Sequence, residues 1–378
     1  MRFEEQIERI RGKLVLAGKK DDALKAFGAQ SHRYQVRPVP VHLLEEFEDK
    51  YQIALPADFR AFLERIGAGA GPFYGIGELE RGAGHLLSDP MKYLSVPSPL
   101  NPEMTESEWT KLPLISESDF DDDRYELARS KTYCGLLPFG DQGCANYSCL
   151  VVAGPATGRV VYVSDDEMPP FFVYEESFLD WYERWLDEIL SGQLLEPFSG
   201  WFGGTRGGPE ERLLADFELF EDEGRKLQCL IGLLVKLELS RETVEEVWRI
   251  KKNHQGRIGR KALLVLLKSD YERAESVLRE ELYSEDPLTL FQNLHWHGKK
   301  HIDRWSGEVK QLLSQPELEP ELFRFLTYLI PHCREDLKPL LKSWMGHENY
   351  TIRTAASYAH SKEKPSLRRR TQDWFPWS

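Results

Sequence analysis

A glycine-rich segment divides this sequence into a half with strand signals and a half without them. The stretch EPFSGWFGGTRGGPEE holds five glycines between Gly200 and Gly208 and is closed by Pro209, a composition typical of a linker. Before it, helical and β-rich stretches follow one another, whereas the residues beyond it show only helical periodicity. The sequence therefore predicts a first domain over 1–196, a linker over 197–209, an all-α domain over 210–362 and a flexible tail over 363–378.

The first domain combines amphipathic helices with paired strands. Apolar spacing predicts helices over residues 1–27, 41–50, 56–66 and 176–190, and β-rich runs predict strands over Tyr147–Val152 and Arg159–Val163. The segment Gly67–Gly84 follows a helix and contains Pro72, so it is interpreted as a loop with a short strand and not as a phosphate-binding loop. This order of elements predicts an α+β fold, in which a mixed or antiparallel sheet packs with helices.

The second domain carries a faint internal period. Apolar helix ends, each followed by a polar turn and a second apolar helix, are anchored at Trp248, Tyr283, Leu313 and Trp344. These anchors lie 35, 30 and 31 residues apart, a spacing that suits stacked helical pairs. The last pair is similar to HEAT-type repeats, in which an Arg and an Ala recur, here Arg353 and Ala356. The sequence predicts an all-α, helical-repeat domain.

Negative charge is concentrated in one part of the chain. Residues 40–200 hold 29 Asp and Glu against 11 Lys and Arg, whereas residues 1–39 hold 5 against 9. A segment with a net charge of −18 repels the phosphates of nucleic acid and attracts a basic protein. Simple solubility explains such charge equally well. The charge favours a protein partner and argues against direct binding of nucleic acid.

The remaining composition indicates a cytoplasmic protein. The five cysteines form no CxxC pair and are odd in number, which fits a reducing compartment better than a disulfide framework. The first residues lack the apolar region of a secretory signal, and no apolar run is long enough to span a bilayer. We expect no contact with a membrane.

The segment EEFEDKYQIALPADFRAFLERIGAGAGPFYGI carries a family resemblance. It is similar to the SUKH superfamily, whose first group is the yeast Smi/Knr cell-wall regulators, and later landmarks follow in the same order up to the helix SFLDWYERWL. The resemblance covers residues 30–195, and the long acidic insert 98–130 departs from it. The residues that match the family motif are Leu55, Pro56, Asp58, Phe59, Phe62, Leu63, Gly67, Gly75 and Ile76.

The resemblance implies a binding role and no catalysis. Many bacterial members are immunity proteins that neutralise a cognate toxin, often a nuclease, and others are regulatory scaffolds. We expect the motif residues to stabilise the fold, with Asp58 complementing the dipole of its own helix. The partner-binding candidates are chosen for clustered charge in predicted loops: Asp121, Asp122, Asp123, Asp165, Asp166 and Glu167.

The sequence contains no recognisable set of catalytic residues and no cofactor motif. His295, His297 and His301 have an H-x-H-x3-H spacing, but zinc needs a third or fourth ligand, and a polar turn between repeat helices is the favoured interpretation. The acidic run that ends at Asp123 lacks the spacing of an EF-hand. Three hypotheses follow: an immunity protein that binds a basic toxin domain, a regulatory scaffold whose repeats bind proteins and, with least support, a hydrolase within the insert.

Overall fold

The computed structural model describes residues 3–116, 121–165, 168–196 and 201–361. The chain forms two compact units. The first comprises Met1–Ala215 and Val235–Leu237, and the second comprises Asp216–Leu234 and Glu238–Ser378. The predicted fold class is confirmed: small antiparallel sheets with helices come first, and a largely helical region follows.

Within the described residues, the first unit contains a 3₁₀ segment over Gln193–Leu195 and eleven α-helices, the last of which crosses the boundary. They are α1 (Glu4–Lys20), α2 (Ala29–His32), α3 (Val41–Tyr51), α4 (Ala57–Arg65), α5 (Leu79–Leu86), α6 (Pro90–Tyr93), α7 (Glu106–Trp109), α8 (Pro113–Ser116), α9 (Asp122–Thr132), α10 (Phe178–Leu190) and α11 (Glu210–Leu219).

Two antiparallel sheets accompany these helices. The strands are β1 (Val36–Arg37), β2 (Ala68–Gly69), β3 (Leu136–Gly143), β4 (Asn146–Val151), β5 (Val160–Ser164) and β6 (Phe171–Phe172). Strands β1 and β2 form a two-stranded sheet, and β3 to β6 form a four-stranded meander in chain order. Because every residue of β5 is buried, this sheet contributes both of its faces to the core.

Helix α10 organises the core of the first unit. Its apolar stripe is buried, with Phe178 packing edge-on against Phe59 and Phe62 of α4 at centroid distances of 4.6 and 4.9 Å. On its other side α10 is joined to α1, since Lys13 pairs with Glu183 at 2.9 Å and with Asp187 at 2.6 Å. The aromatic residues at helical spacing on α10 are buried and form part of the core.

Three local predictions for the first unit differ from the structure. The helix predicted over 1–27 ends at Lys20, because the buried carboxylate of Asp21 accepts the backbone N–H groups of Lys25 and Ala26 and turns the chain. The last part of the loop predicted over Gly67–Gly84 belongs to helix α5, which runs to Leu86. The strand β3 was not predicted.

The glycine-rich segment packs against the first unit over the part that the structure describes, residues 201–209. Trp201 Nε1 donates to Gln142 Oε1 at 2.8 Å, and the carbonyl of Phe202, itself buried, accepts from the Tyr162 hydroxyl at 3.1 Å. The compact units divide after Ala215, which lies within α11 and not within the predicted linker 197–209.

The described residues of the second unit form helices joined by turns, with no strand. Its α-helices are α12 (Glu223–Val235), α13 (Arg241–Asn253), α14 (Gly256–Ser269), α15 (Tyr271–Val277), α16 (Pro287–His297), α17 (Ser306–Leu313), α18 (Pro320–Leu329) and α19 (Tyr350–Ser361). A π-helical segment, Leu278–Tyr283, continues α15, and 3₁₀ segments cover Lys299–Trp305, Ile330–His332 and Lys338–Trp344. The predicted flexible tail 363–378 lies outside the described residues.

Candidate protein-binding surfaces

The family-motif residues of α4 lie in the core. The buried apolar members are Leu55, Phe59, Phe62 and Leu63, and Pro56 occupies the N-cap position of α4. Asp58 is only 7% exposed, and its Oδ2 accepts the backbone N–H groups of Phe178 at 2.9 Å and Leu179 at 3.3 Å. The carboxylate therefore caps α10, a helix 120 residues away, in addition to standing in the first turn of its own helix.

The motif glycines allow close backbone contacts with the two-stranded sheet of β1 and β2. Gly67 and Gly75 have φ values of +106° and +95°, and a Cβ at either would lie about 2 Å from a backbone carbonyl oxygen, at 1.9 and 2.1 Å respectively. Ile76, buried at 4% exposure, pairs with Gly69 of β2 through two backbone hydrogen bonds of 2.7 and 2.8 Å. Glycine is required at both positions because the backbones approach too closely for a side chain.

The predicted acidic contact residues are presented by the start of α9. Asp121 is its N-cap and accepts the backbone N–H of Arg124 at 2.9 Å, while Asp122 and Asp123 stand in the first turn. All three are exposed. Acidic side chains at this end of a helix are stabilised by its dipole. We name Asp121, Asp122 and Asp123 the acidic turn.

Asp165 is placed differently from the acidic turn. Its Oδ1 accepts from Arg129 Nη2 at 2.7 Å, so its charge is paired within the molecule and joins the end of β5 to the last turn of α9. Burial lowers the pKa of Arg129, but Asp165 outweighs burial and raises the pKa above its ordinary value. Asp166 and Glu167 lie outside the described residues.

The insert that carries the acidic turn is anchored in the core. Trp109 and Leu114 are buried at 4% and 1% exposure, and the backbone N–H of Leu114 donates to Thr132 Oγ1 at 3.0 Å. At the N-terminus of α7, Thr105 and Glu108 form a capping box. These contacts hold α7, α8 and α9 in place, so the acidic turn projects from a folded support.

A buried ion triad escaped the sequence analysis. Arg184 of α10 pairs with Glu175 at 2.7 Å and Glu188 at 2.6 Å, and all three side chains are at most 11% exposed. Burial alone would lower the pKa of Arg184, but the two carboxylates raise it above its ordinary value. The Phe202 ring lies 5.4 Å from the guanidinium. The i,i+4 spacing of Arg184 and Glu188 was the one available sequence signal.

A patch of exposed aromatic side chains was also missed. Phe27, Tyr74 and Trp201 are 57%, 45% and 42% exposed, and Phe27 lies 5.4 Å from Tyr74 and 5.9 Å from Trp201 between ring centroids. Buried Phe73 lies beneath them, 4.8 Å from Trp201. We name Phe27, Tyr74 and Trp201 the aromatic patch. Each of these aromatics stands within two residues of a glycine, which is the signal that could have indicated it.

The three histidines of the second unit do not converge. His301 stacks on Tyr271 with ring centroids 3.7 Å apart, whereas His295 contacts Tyr328 at 5.3 Å. Burial, aided by Lys268 and Lys261, lowers the pKa of His297 to about 4, and burial with Lys299 and His332 does the same for His295. Among the described residues there is no group of three His, Cys, Asp or Glu side chains that could hold a metal ion.

The helices of the described residues also include none with the length and apolar character needed to cross a membrane. All five cysteines are free thiols, and burial raises the pKa of Cys149 well above its ordinary value.

Part of the chain matches a known protein family. Residues 38–184 match the model of the SMI1 / KNR4 family (SUKH-1). No curated protein and no solved structure shows a significant match to the chain. The matched range runs from the residue after β1 into α10 and includes the Asp58 cap, the motif glycines and the insert. The first unit of this chain therefore contains a SUKH domain.

Proposed function

We propose that this chain is a non-enzymatic, cytoplasmic binding protein and acts as an immunity protein, with the SUKH domain neutralising a basic toxin domain, such as a nuclease, by direct binding. The SUKH match supports this role, because the family is generally made up of immunity and regulatory proteins without catalytic activity. The observation that carries the proposal is the acidic turn, which places three exposed carboxylates on a folded insert.

Charge of this kind acts chiefly on association. Complementary potentials raise the rate of encounter by one or more orders of magnitude at low salt, and their effect decreases as salt screens them. Asp122 and Asp123 form no ion pair with any residue that the structure describes. Their charge is thus available to a partner, whereas the charge of Asp165 is used by Arg129.

The test is a comparison of two triple variants of the full chain. The native partner is captured from the cytoplasm at low salt, identified by mass spectrometry and purified, and its association is followed by stopped-flow fluorescence. Changing Asp121, Asp122 and Asp123 to Lys is expected to slow association at least tenfold at low salt and much less at high salt. The control changes the exposed Glu46, Asp49 and Glu176 to Lys.

The control carries the same change in total charge at a different place on the SUKH domain. If both triple variants associate equally slowly, only the net charge matters and the acidic turn is not the contact. If the acidic-turn variant associates at the wild-type rate, this surface is removed from the proposal. Protection against the toxic effect of the captured partner in growing cells distinguishes an immunity protein from a scaffold.

The alternative function is a regulatory scaffold, in which helical repeats of the second unit bind protein partners. It is favoured by a periodic set of ion pairs, which we name the ion ladder: Glu218–Arg249, Glu245–Arg273, Glu272–Arg304 and Asp303–Arg334. The members of these pairs are 31, 28, 32 and 31 residues apart. Such regularity is typical of stacked repeats, whose extended surfaces bind proteins.

The immunity function and the scaffold function predict that different residues are needed to bind the partner. On the second unit, Trp296 and Tyr328 are 46% and 38% exposed and both pack against the His295 ring. A scaffold role predicts that changing both to Ala weakens capture of the partner, while the acidic-turn variant retains it. The immunity role predicts the opposite result with the same two proteins.

A further inference from the structure

The aromatic patch is built as a rigid surface. Phe27, Tyr74 and Trp201 come from three separate parts of the chain, and Trp201 is oriented by its hydrogen bond to buried Gln142, which in turn donates to Ser148 Oγ at 2.8 Å. Large aromatics held in one conformation lose little entropy on binding and dominate protein interfaces. Contiguous exposed apolar patches are uncommon on soluble proteins without a binding role.

The backbone of Phe73, beneath the aromatic patch, adopts a strained conformation. Phe73 adopts a φ of 57°, an unusual left-handed conformation for a bulky residue. Its carbonyl oxygen would lie 1.8 Å from a Cβ at residue 28, where the chain has Gly28. Residues held in such conformations are concentrated at functional sites. The left-handed Phe73 allows Phe27 and Tyr74 to stand side by side.

An open hollow adjoins the patch. It has a volume of about 320 Å³ and is lined by Lys25, Phe27, Gln30, Ser31 and Tyr74 among others. Its walls therefore combine two aromatic rings with a cation and neutral hydrogen-bonding groups. This is the chemistry of a pocket that receives one apolar side chain and neighbouring carboxylates.

Lys25 lines the hollow, and the chain segment around it, residues 19–33, holds more basic than acidic residues, whereas residues 40–200 carry a net charge of −18. Lys19, Lys20, Lys25 and Arg33 are exposed and form no ion pair with any residue that the structure describes. The acidic residues on the same stretch are Asp22, which is exposed, and Asp21, which is buried and accepts from the Tyr34 hydroxyl. We name Lys19, Lys20, Lys25 and Arg33 the cationic rim.

We propose that the aromatic patch and the cationic rim form a second docking surface, which binds an acidic segment of a partner protein and receives an aromatic or aliphatic side chain of that segment in the hollow. This surface is independent of the acidic turn and has the opposite charge. Nucleic acid is disfavoured there by the net charge of −18 over residues 40–200. The chain's own basic segment Arg368–Arg370 is disfavoured by the cationic rim.

The probe is a library of random 12-residue peptides displayed on phage and selected on the full chain. The selected peptides are expected to be rich in Asp and Glu around a Trp, Phe or Leu. The most enriched one, synthesised with a fluorescein label, is expected to bind with an affinity that falls at least tenfold in each of Phe27→Ser, Tyr74→Ser and Lys25→Glu. Matched controls are Leu43→Ser, at a side chain that is 46% exposed, and Lys111→Glu, and both should bind as wild type.

Each other result overturns the proposal. Selected peptides that are neutral or basic, a failure to select any peptide, or binding that Phe27→Ser and Lys25→Glu leave unchanged would each show that the surface does not take acidic segments. A dimer in sedimentation velocity that Phe27→Ser dissociates would assign the patch to a second copy of the chain. Binding of a fluorescent single-stranded DNA that Lys25→Glu abolishes would assign it to nucleic acid. Urea unfolding of each variant checks that the fold is retained, as expected for exposed positions.

Discussion

The contacts that stabilise each unit join residues at different distances along the chain. In the first unit the hydrogen bonds that close the fold join remote residues, such as Gln6 to Asp180 over 174 residues and the Tyr182 hydroxyl to the Ala70 carbonyl over 112. In the second unit Trp305 Nε1 donates to the Tyr271 hydroxyl over 34 residues and Trp344 Nε1 to the Leu313 carbonyl over 31. The first unit can fold only when residues from both of its ends are present, whereas each helix of the second unit depends mainly on the helices next to it in the chain.

This difference predicts which parts of the molecule lose stability when one contact is removed. A broken long-range contact in the first unit removes a connection between distant elements, so the whole unit should lose stability. A broken contact in the second unit should loosen adjacent helices and leave remote ones intact, because nearest-neighbour terms dominate in stacked helical structures. Four experiments test this comparison, and they are ordered by the size of the expected effect.

The largest effect is expected for Asp58→Ala. The change leaves the N–H groups of Phe178 and Leu179 buried without their acceptor, which costs about 3 kcal/mol of unfolding free energy. Two-stage urea unfolding, followed by circular dichroism, should show the transition of the first unit shifted and that of the second unchanged. Asp58→Asn retains an oxygen acceptor and should cost about half as much, while the exposed Asp123→Ala serves as the control.

The second largest effect is expected when the free energy of unfolding of the two units is compared over a series of pH values. The folded-state pKa of His297 is about 4, below the ordinary 6.5, because burial disfavours its charged form. Between those values the unfolded chain binds the proton and the folded chain does not, so the free energy of unfolding falls as pH decreases. At pH 5 this histidine should cost about 2 kcal/mol relative to neutral pH.

The second unit has two histidines with a pKa of about 4, His295 and His297, and the first unit has one, His32. Lowering the pH from 7 to 5 should therefore destabilise the second unit more. His297→Gln should flatten its pH dependence, and the exposed His42→Gln should leave both units unchanged. A steeper loss in the first unit would contradict the assignment.

A smaller and more local effect is expected for Trp305→Phe. The variant loses the indole donor to the Tyr271 hydroxyl inside the core, at a cost of about 1.5 kcal/mol. Hydrogen exchange should accelerate in α15 and the Lys299–Trp305 segment while α13 and α19 keep their protection. Uniform acceleration across the unit would show that it unfolds as a single block. Trp296→Phe, at an exposed position, is the matched control.

The smallest effect is expected from Arg279→Met. Arg279 pairs with Glu275 at 2.9 Å and with Glu308, and all three are partly exposed, so the change should cost about 0.5 kcal/mol at low salt. The difference should disappear in 1 M salt, where screening removes the attraction of exposed charges. Arg249→Met, at an exposed pair of the ion ladder, should leave the melting temperature unchanged. A salt-independent loss would indicate packing of the Arg279 stem and not charge.

Strong amphipathic patterns predicted their elements well. Helices α3, α4 and α10 begin and end within two residues of the predicted bounds, because their apolar stripes face the core. The β3–β4 hairpin was missed because its turn uses Cys144 and Ala145 at φ values of 49° and 60° in place of the Asn-Gly pair that marks such turns.

Contacts between remote residues were beyond prediction from the sequence. The motif indicated that Asp58 is structural, but its partner lies 120 residues away and no spacing rule connects them. The same holds for the aromatic patch, whose members lie on segments that only the folded chain brings together. The acidic cluster Asp121–Asp123 is visible in the sequence because its residues are consecutive, but it was expected in a loop and instead begins α9. Its contact with a partner stays a prediction. The pairing of Asp165 with Arg129 depends on the packing of α9 against the sheet.

The contacts of α10 set the order in which the chain can fold during translation. Its partners α1 and Asp58 leave the ribosome early, and the 120 residues between Asp58 and Phe178 must be synthesised before α10 emerges to join them. Throughout that interval the nascent SUKH domain exposes the apolar faces that α10 later covers, and such exposed surface is prone to aggregation. The helices that follow meet their partners after about thirty residues, so they can fold as they appear.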